Sequence, residues 1–259
     1  FKSLDLRVIP EEATRVAAIR AGGADIAPVS LATRKQVEAG GGRLVFGPEG
    51  VYLRTWLLGC YKPQFPCSKK EVRHALDLAI DKTVIRDQLF GGPDVFQLKG
   101  WAHVTPSSIG YSPDLDPWPQ DVAKARKLLA DAGYPGGKGF GKLIVNTSVS
   151  TTMPFLPESA QLAADFWKQE LGLDVEVKVG DAVALARANL TDALHGQILW
   201  QDGVAKLDTS ISYFTYYGSP THGGRLHETQ ELFDLVAKTL AVIDPDERVK
   251  AFNTLNTRG

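Results

Sequence analysis

The chain has 259 residues, 44% of them hydrophobic, enough for a core in one large domain or two small ones. A formal charge of −1 leaves no basic footprint for nucleic acid or an anionic membrane, and no run nears the roughly eighteen apolar residues of a membrane span. The chain does not open on Met, a strand pattern is already running at Leu4, and it stops just after a helical pattern. It therefore reads as an excised piece of a longer, processed protein.

Leu4, Leu6 and Val8 alternate, predicting a strand over residues 4–9. Pro10 suits the first turn of a helix reaching about Arg20, with Val16 and Ile19 inward and Gly22-Gly23 ending it. Asp25 reads as a turn residue. A shorter helix, about Leu31 to Ala39, stops at the glycines 40–42, and strands are expected at Leu44–Phe46 and Val51–Leu58. The loose alternation of Tyr52 to Trp56 suits burial on both faces, so Arg54 must be paired or face a wet cleft. Cys60 and Cys67 enclose six residues, a spacing that fits neither a redox CxxC nor a four-ligand zinc site. That leaves a local disulfide, which implies an oxidising compartment, or two free thiols.

From Ser68 to Pro93, Val72, Ala75, Leu76, Ala79, Ile80 and Val84 recur at helical spacing, predicting one helix about five turns long. Ser68 and Glu71 form a capping-box pattern, Arg73 and Asp77 are spaced to pair, and Gly91-Gly92-Pro93 marks the stop. Residues 94–120 have the prolines and weak periodicity of an irregular crossing. Helices follow at 121–133, 158–170 and 182–194, and strands at 143–147, 173–179 and 197–200, the last running into Gln201-Asp202-Gly203. Two more helices, about 228–242 and 245–256, close the chain. Strands alternating with helices through short loops argue for an α/β fold with a mixed sheet flanked by helices.

The motifs on these elements resemble family 5 of the extracytoplasmic solute-binding proteins. Val72-Arg73-His74-Ala75-Leu76 followed by Ala79-Ile80-Asp81-Lys82 is similar to that family's signature helix. Ala125 to Tyr134 is similar to its A-x-x-LL-x-x-AGY helix. Ala13-Thr14-Arg15 with Gly22 to Ile26, Leu171-Gly172-Leu173 before a strand, and Asp244 to Arg248 are further matches at the family's order and spacing. The resemblance implies one lobe of a periplasmic binding protein of type II, the second, inserted lobe, spanning 1–259 with the first lobe outside this chain. It also implies capture of a peptide or similar small solute for the membrane permease of an ABC importer, by a monomer, outside the cytoplasm, with no catalysis and no cofactor. A ligand-sensing domain of a regulator with the same fold is the alternative.

In the peptide binders of that family an aspartate in a W-x-x-D context pairs with the ligand's α-amine, and Asp202 is the matching position here. The match departs from the pattern: Trp200 is one residue too close, and the following Asp-Pro is absent. The expected ligand-binding set is Asp202, Trp200, Gln201, Arg54 and Tyr213, the last heading an aromatic run to Tyr217 that could wall a pocket or pack a core. His222 and His227 are spaced as loop residues rather than metal ligands. No P-loop, GxSxG, HExxH or GxGxxG motif occurs, so no metal site or nucleophile is expected.

Overall fold

The structure, a computed structural model, describes residues 2–45, 50–93, 95–100, 103–217 and 229–258, the side chains of 214–217 and 257–258 excepted. The expected Phe46 end of a strand and the His222–His227 pair lie outside the described residues. The chain divides into two compact units, residues 1–48 and 49–259.

In the first unit, helix α1 (Glu12–Arg20) buries Val16, and α2 (Arg34–Ala39) buries Val37. The strand expected over 4–9 is not formed: Leu4, Leu6 and Val8 are exposed, and no strand partner lies beside them among the described residues. Alternation makes a strand only when a neighbour completes its ladder. Leu44 and Val45 are likewise outside any strand. What holds the segment is Arg15, whose Nη1 donates to the carbonyls of Ile9 (2.8 Å) and Pro10 (2.5 Å) while Nε donates to that of Pro28 (2.8 Å).

The second unit is built on a four-stranded sheet in the order β1-β4-β2-β3, from β1 (Val51–Leu57), β2 (Lys142–Ser148), β3 (Asp174–Gly180) and β4 (Ile198–Val204). β4, β2 and β3 are parallel; β1 runs antiparallel to β4. β1 is thus an edge strand among the described residues, mostly half-buried rather than covered on both faces. One sheet face packs against α3 (Lys70–Leu78), α4 (Lys82–Leu89), α5 (Val122–Asp131) and α6 (Leu156–Leu171) around Leu76, Leu129, Val145, Trp167 and Ile198. The other carries a smaller cluster of Trp56, Leu58, Leu194 and Leu199 under α7 (Ala182–Asn189), which ends short of the expected 194 and is followed by a single turn at 192–194. Helices α8 (Ser210–Tyr217), α9 (Gln230–Leu240) and α10 (Pro245–Arg258) close around Tyr213, Val236, Phe252 and Leu255.

The long helix expected between Ser68 and Pro93 is two helices, broken at Ala79–Asp81. A helix ending inside a core strands its last carbonyls unless donors arrive from elsewhere. Here they do. Trp167 Nε1 donates to the carbonyl of Leu76 (2.8 Å), Lys82 Nζ to that of Asp77 (2.9 Å), the Asp121 amide to that of Leu78 (2.9 Å) and Gln120 Nε2 to that of Ala79 (3.0 Å). Asp81 then starts α4, its Oδ1 accepting from the amides of Thr83 (2.9 Å) and Val84 (3.2 Å). So the Ala79 to Lys82 motif is a joint, with Asp81 opening one helix and Lys82 closing the other.

The expected capping box is not formed. The N-cap of α3 is Lys69 and carries no side-chain cap; Ser68 Oγ reaches only the Pro63 carbonyl, at 3.5 Å. Arg73 does not pair with Asp77 but donates to the carbonyls of Cys67 (2.8 Å) and Ser68 (3.1 Å). Ser68→Ala is therefore expected to change stability by less than about 0.5 kcal/mol, and Asp81→Ala to cost about 1 kcal/mol. Urea midpoints of the two variants check this, and a larger loss for Ser68→Ala would contradict it.

Cys60 and Cys67 are bonded, with Cα atoms 5.1 Å apart. The closed loop leans on the turn before β4: a Cβ at Gly59 (φ 73°) would sit 2.6 Å from the His195 side chain, and Lys62 Nζ pairs with Asp192 at 2.5 Å. The bridge thereby ties the end of β1 to the turn that leads into α3, while Gly59 and Lys62 hold the loop against the turn before β4.

Candidate functional site

β4 does not stop at Trp200. It runs through Gln201, Asp202 and Gly203 to Val204, because β1 supplies a partner for every one of them: Arg54 opposes Gln201, Leu53 opposes Asp202 and Tyr52 opposes Gly203. Alternation then sends Trp200 and Asp202 to the face covered by α6, and Gln201 to the opposite face. Asp202 lies at the carboxyl end of the parallel strands, where α/β sheets bind ligands.

Trp200 is buried in the core. Its Nε1 donates to Ser159 Oγ (2.9 Å), and its ring meets Trp167 edge-on at 6.3 Å. Two residues on, Asp202 is only half-buried and meets the loop between β2 and α6. Ser150 Oγ donates to Asp202 Oδ2 at 2.8 Å, and Thr152 Oγ1 donates to the same oxygen. Ser150 Oγ also accepts from the amides of Thr152 and Met153, both at 3.1 Å, so the loop is folded over the carboxylate. Both hydroxyls use one oxygen, and among the described residues no donor meets Oδ1.

On the other face, Arg54 is paired. Its Nε donates to the Gln201 amide oxygen at 2.8 Å, Nη2 donates to the same atom, and the guanidinium lies 4.6 Å from the Trp56 ring centroid. Gly203 admits the Tyr52 ring, which a Cβ there would meet at 2.5 Å. Tyr213 belongs to the cluster under α8–α10, buried against Phe252, with its hydroxyl donating to Asn256 Oδ1. His103 packs edge-on to Tyr213 at 4.7 Å, and burial, with Arg54 and Lys206 nearby, pushes its pKa down to about 4. The expected set thus falls into an Asp202 cluster, an Arg54–Gln201 pair on the reverse face, and two core aromatics. The aromatic side chains 214–217 lie outside the described residues.

Sequence reading missed Ser150 and Thr152. Their signal was present: a Ser/Thr/Pro-rich loop directly after a parallel strand. No group of three or more His, Cys, Asp or Glu side chains converges as a metal site among the described residues.

Residues 1–224 match the family described as bacterial extracellular solute-binding proteins, family 5 Middle. The chain belongs to that family. Among curated relatives, the glutathione-binding protein GsiB of Pectobacterium atrosepticum is 30% identical over 187 residues, covering 70% of this chain and 33% of that protein. Among solved structures, the ABC transporter substrate-binding protein CtaP of Listeria monocytogenes aligns with a TM-score of 0.80 at 20% identity, over 96% of this chain and 50% of CtaP. The periplasmic binding protein DppA of Helicobacter pylori, in complex with a peptide, aligns at 0.69 and 22% identity, over 97% and 48%. Those likenesses show the fold, that of type II periplasmic binding proteins. The chain spans about a third of the length of GsiB and half that of the solved chains. The family-5 members it resembles are substrate-binding proteins, not enzymes.

Proposed function

We propose that this chain is the second, inserted lobe of an extracytoplasmic solute-binding protein that captures a peptide or similar small solute between two lobes. The solute then passes to the membrane permease of an ABC importer, with no chemistry and no cofactor, the binding protein acting as a monomer in the periplasm or on a lipid anchor. The observation that carries this reading is Asp202: a carboxylate at the sheet's ligand-binding end, with one oxygen held by two hydroxyls and the other available. Such a group suits a ligand amine, because charge-assisted hydrogen bonds are about twice as strong as neutral ones. Trp200 fixes the strand from the core side. Arg54 and Gln201 offer a second polar contact on the reverse face, and Tyr213 supports that side from within. The named ligands of the relatives, glutathione and a peptide, belong to the class such a carboxylate suits. The Cys60–Cys67 bond favours an oxidising compartment over the cytosol, and so an importer component over a cytosolic regulator.

In the full-length protein, Asp202→Asn is expected to weaken binding of an unmodified tripeptide by about 10- to 100-fold, the worth of one hydrogen bond to a charged group. N-acetylation of the peptide should cost the wild type a similar factor and the variant little. Calorimetry decides it. Equal affinities of wild type and variant would remove Asp202 from the site.

A further inference from the structure

We propose that Phe155 is a specificity-determining residue, selecting a large apolar side chain beside the amine held by Asp202; this rests on the binding reading above. Phe155 is the one non-glycine residue with positive φ (63°) among the described residues. Bulky L side chains rarely adopt that conformation, and glycine takes it freely. Core packing does not account for it. Met153 and Leu156 on either side are buried, whereas Phe155 stays 45% exposed.

What the conformation does is place the ring. Ser150 and Thr152 close the same loop onto Asp202, and three residues later the backbone turns Phe155 outward at the start of α6. Val149, just before Ser150, is 75% exposed. Val204, two residues beyond Asp202 on the same face of β4, is 64% exposed. Three exposed apolar residues thus lie within three positions of the residues that meet at this carboxylate: Val149 next to Ser150, Phe155 three beyond Thr152, and Val204 two beyond Asp202. The complementary ligand joins a cation directly to an apolar group, as the first residue of a peptide with a free amine and a large apolar side chain does. A solute with anionic groups and no amine would meet a like charge there, and a polyol would bury hydroxyls against apolar surface.

The test is calorimetry on the full-length protein, wild type and Phe155→Gly, with Phe-Gly-Gly, Gly-Gly-Gly and N-acetyl-Phe-Gly-Gly as probes. The wild type is expected to prefer Phe-Gly-Gly over Gly-Gly-Gly by about tenfold or more, the scale of one apolar side chain in a pocket. Phe155→Gly should lose most of that preference and leave Gly-Gly-Gly within about twofold. Its thermal midpoint should hold or rise, since glycine accepts the positive φ. A preference unchanged in Phe155→Gly, or absent in the wild type, overturns the proposal. The acetylated probe reports separately on Asp202. If acetylation costs nothing while Phe155→Gly still abolishes the preference, the amine reading falls and apolar selection by Phe155 stands. If the wild type binds none of the three, both readings fall.

Discussion

Trp167→Ala is expected to cost the larger unit about 4–5 kcal/mol, a large share of the 5–15 kcal/mol that stabilises a typical domain. Trp167 is 1% exposed on α6, between the sheet and α3, and its ring meets Trp200. Removing it leaves a cavity that Ala160, Ala163 and Ala164, themselves fully buried, cannot fill. It also removes the donor to the Leu76 carbonyl at the end of α3, leaving a buried acceptor without its partner. Trp167→Phe keeps most of the volume and loses only that donor, so about 1–3 kcal/mol is expected. Urea unfolding of both variants separates the two contributions. A loss below about 1 kcal/mol in Trp167→Ala would mean that the α3–α6 joint does not support the core.

Acid is expected to destabilise the fold well before its carboxylates titrate. Burial holds His103 neutral down to a pKa of about 4, against an ordinary value near 6.5, with the Arg54 and Lys206 charges acting in the same direction. Above pH 6.5 the histidine is neutral in both states and contributes nothing. As pH falls from 6.5 towards 4 the unfolded chain binds the proton and the folded chain does not, so stability is lost across that window, by about 3 kcal/mol for His103 alone. His195 and His74 shift the same way. Burial lowers both, against Asp192 and with Lys62 for the first, and with Lys70, Arg73 and Lys124 and against Asp77 for the second. Asp81, Asp116 and Asp208 act lower on the scale. Burial alone would raise them, but their hydrogen bonds to Thr83 and Val84, to Lys99, Gly100 and Tyr111, and to Ser210 and Arg248 hold them below the usual carboxylate range. Their stabilisation is lost only as pH falls below about 4. Thermal midpoints between pH 7 and 4 should therefore decline, and His103→Gln should flatten that decline. An equally steep decline in the variant would assign the effect elsewhere.

Much of the fold was legible because it depends on local chemistry. Helices α1, α5 and α6 follow from apolar periodicity, and Asp121 and Gly172 mark boundaries whose caps involve only near neighbours. β3 follows from strict alternation, and the disulfide joins residues only seven apart. The motifs that place the chain in its family are likewise short-range patterns on these elements.

Tertiary structure decided what depends on distant partners. The alternation at residues 4–9 made no strand because no neighbour among the described residues completes it, whereas β4 extended through Asp202 because β1 does. The periodic stripe from Val72 to Val84 could not reveal its break, since the carbonyls freed at Leu76 to Ala79 are satisfied mainly by Trp167, Gln120 and Asp121, far along the chain. The same holds for Ser68, whose pattern of a cap went unused once Pro66 to Ser68 turned before the helix. At the candidate site, sequence proposed the carboxylate of Asp202, but only folding brought Ser150 and Thr152, some fifty residues earlier, onto one of its oxygens and gave Phe155 its positive φ a few residues on. Local sequence sets what a segment can form; which of its polar groups are satisfied, and hence where an element ends, is settled by the partners that the rest of the chain delivers.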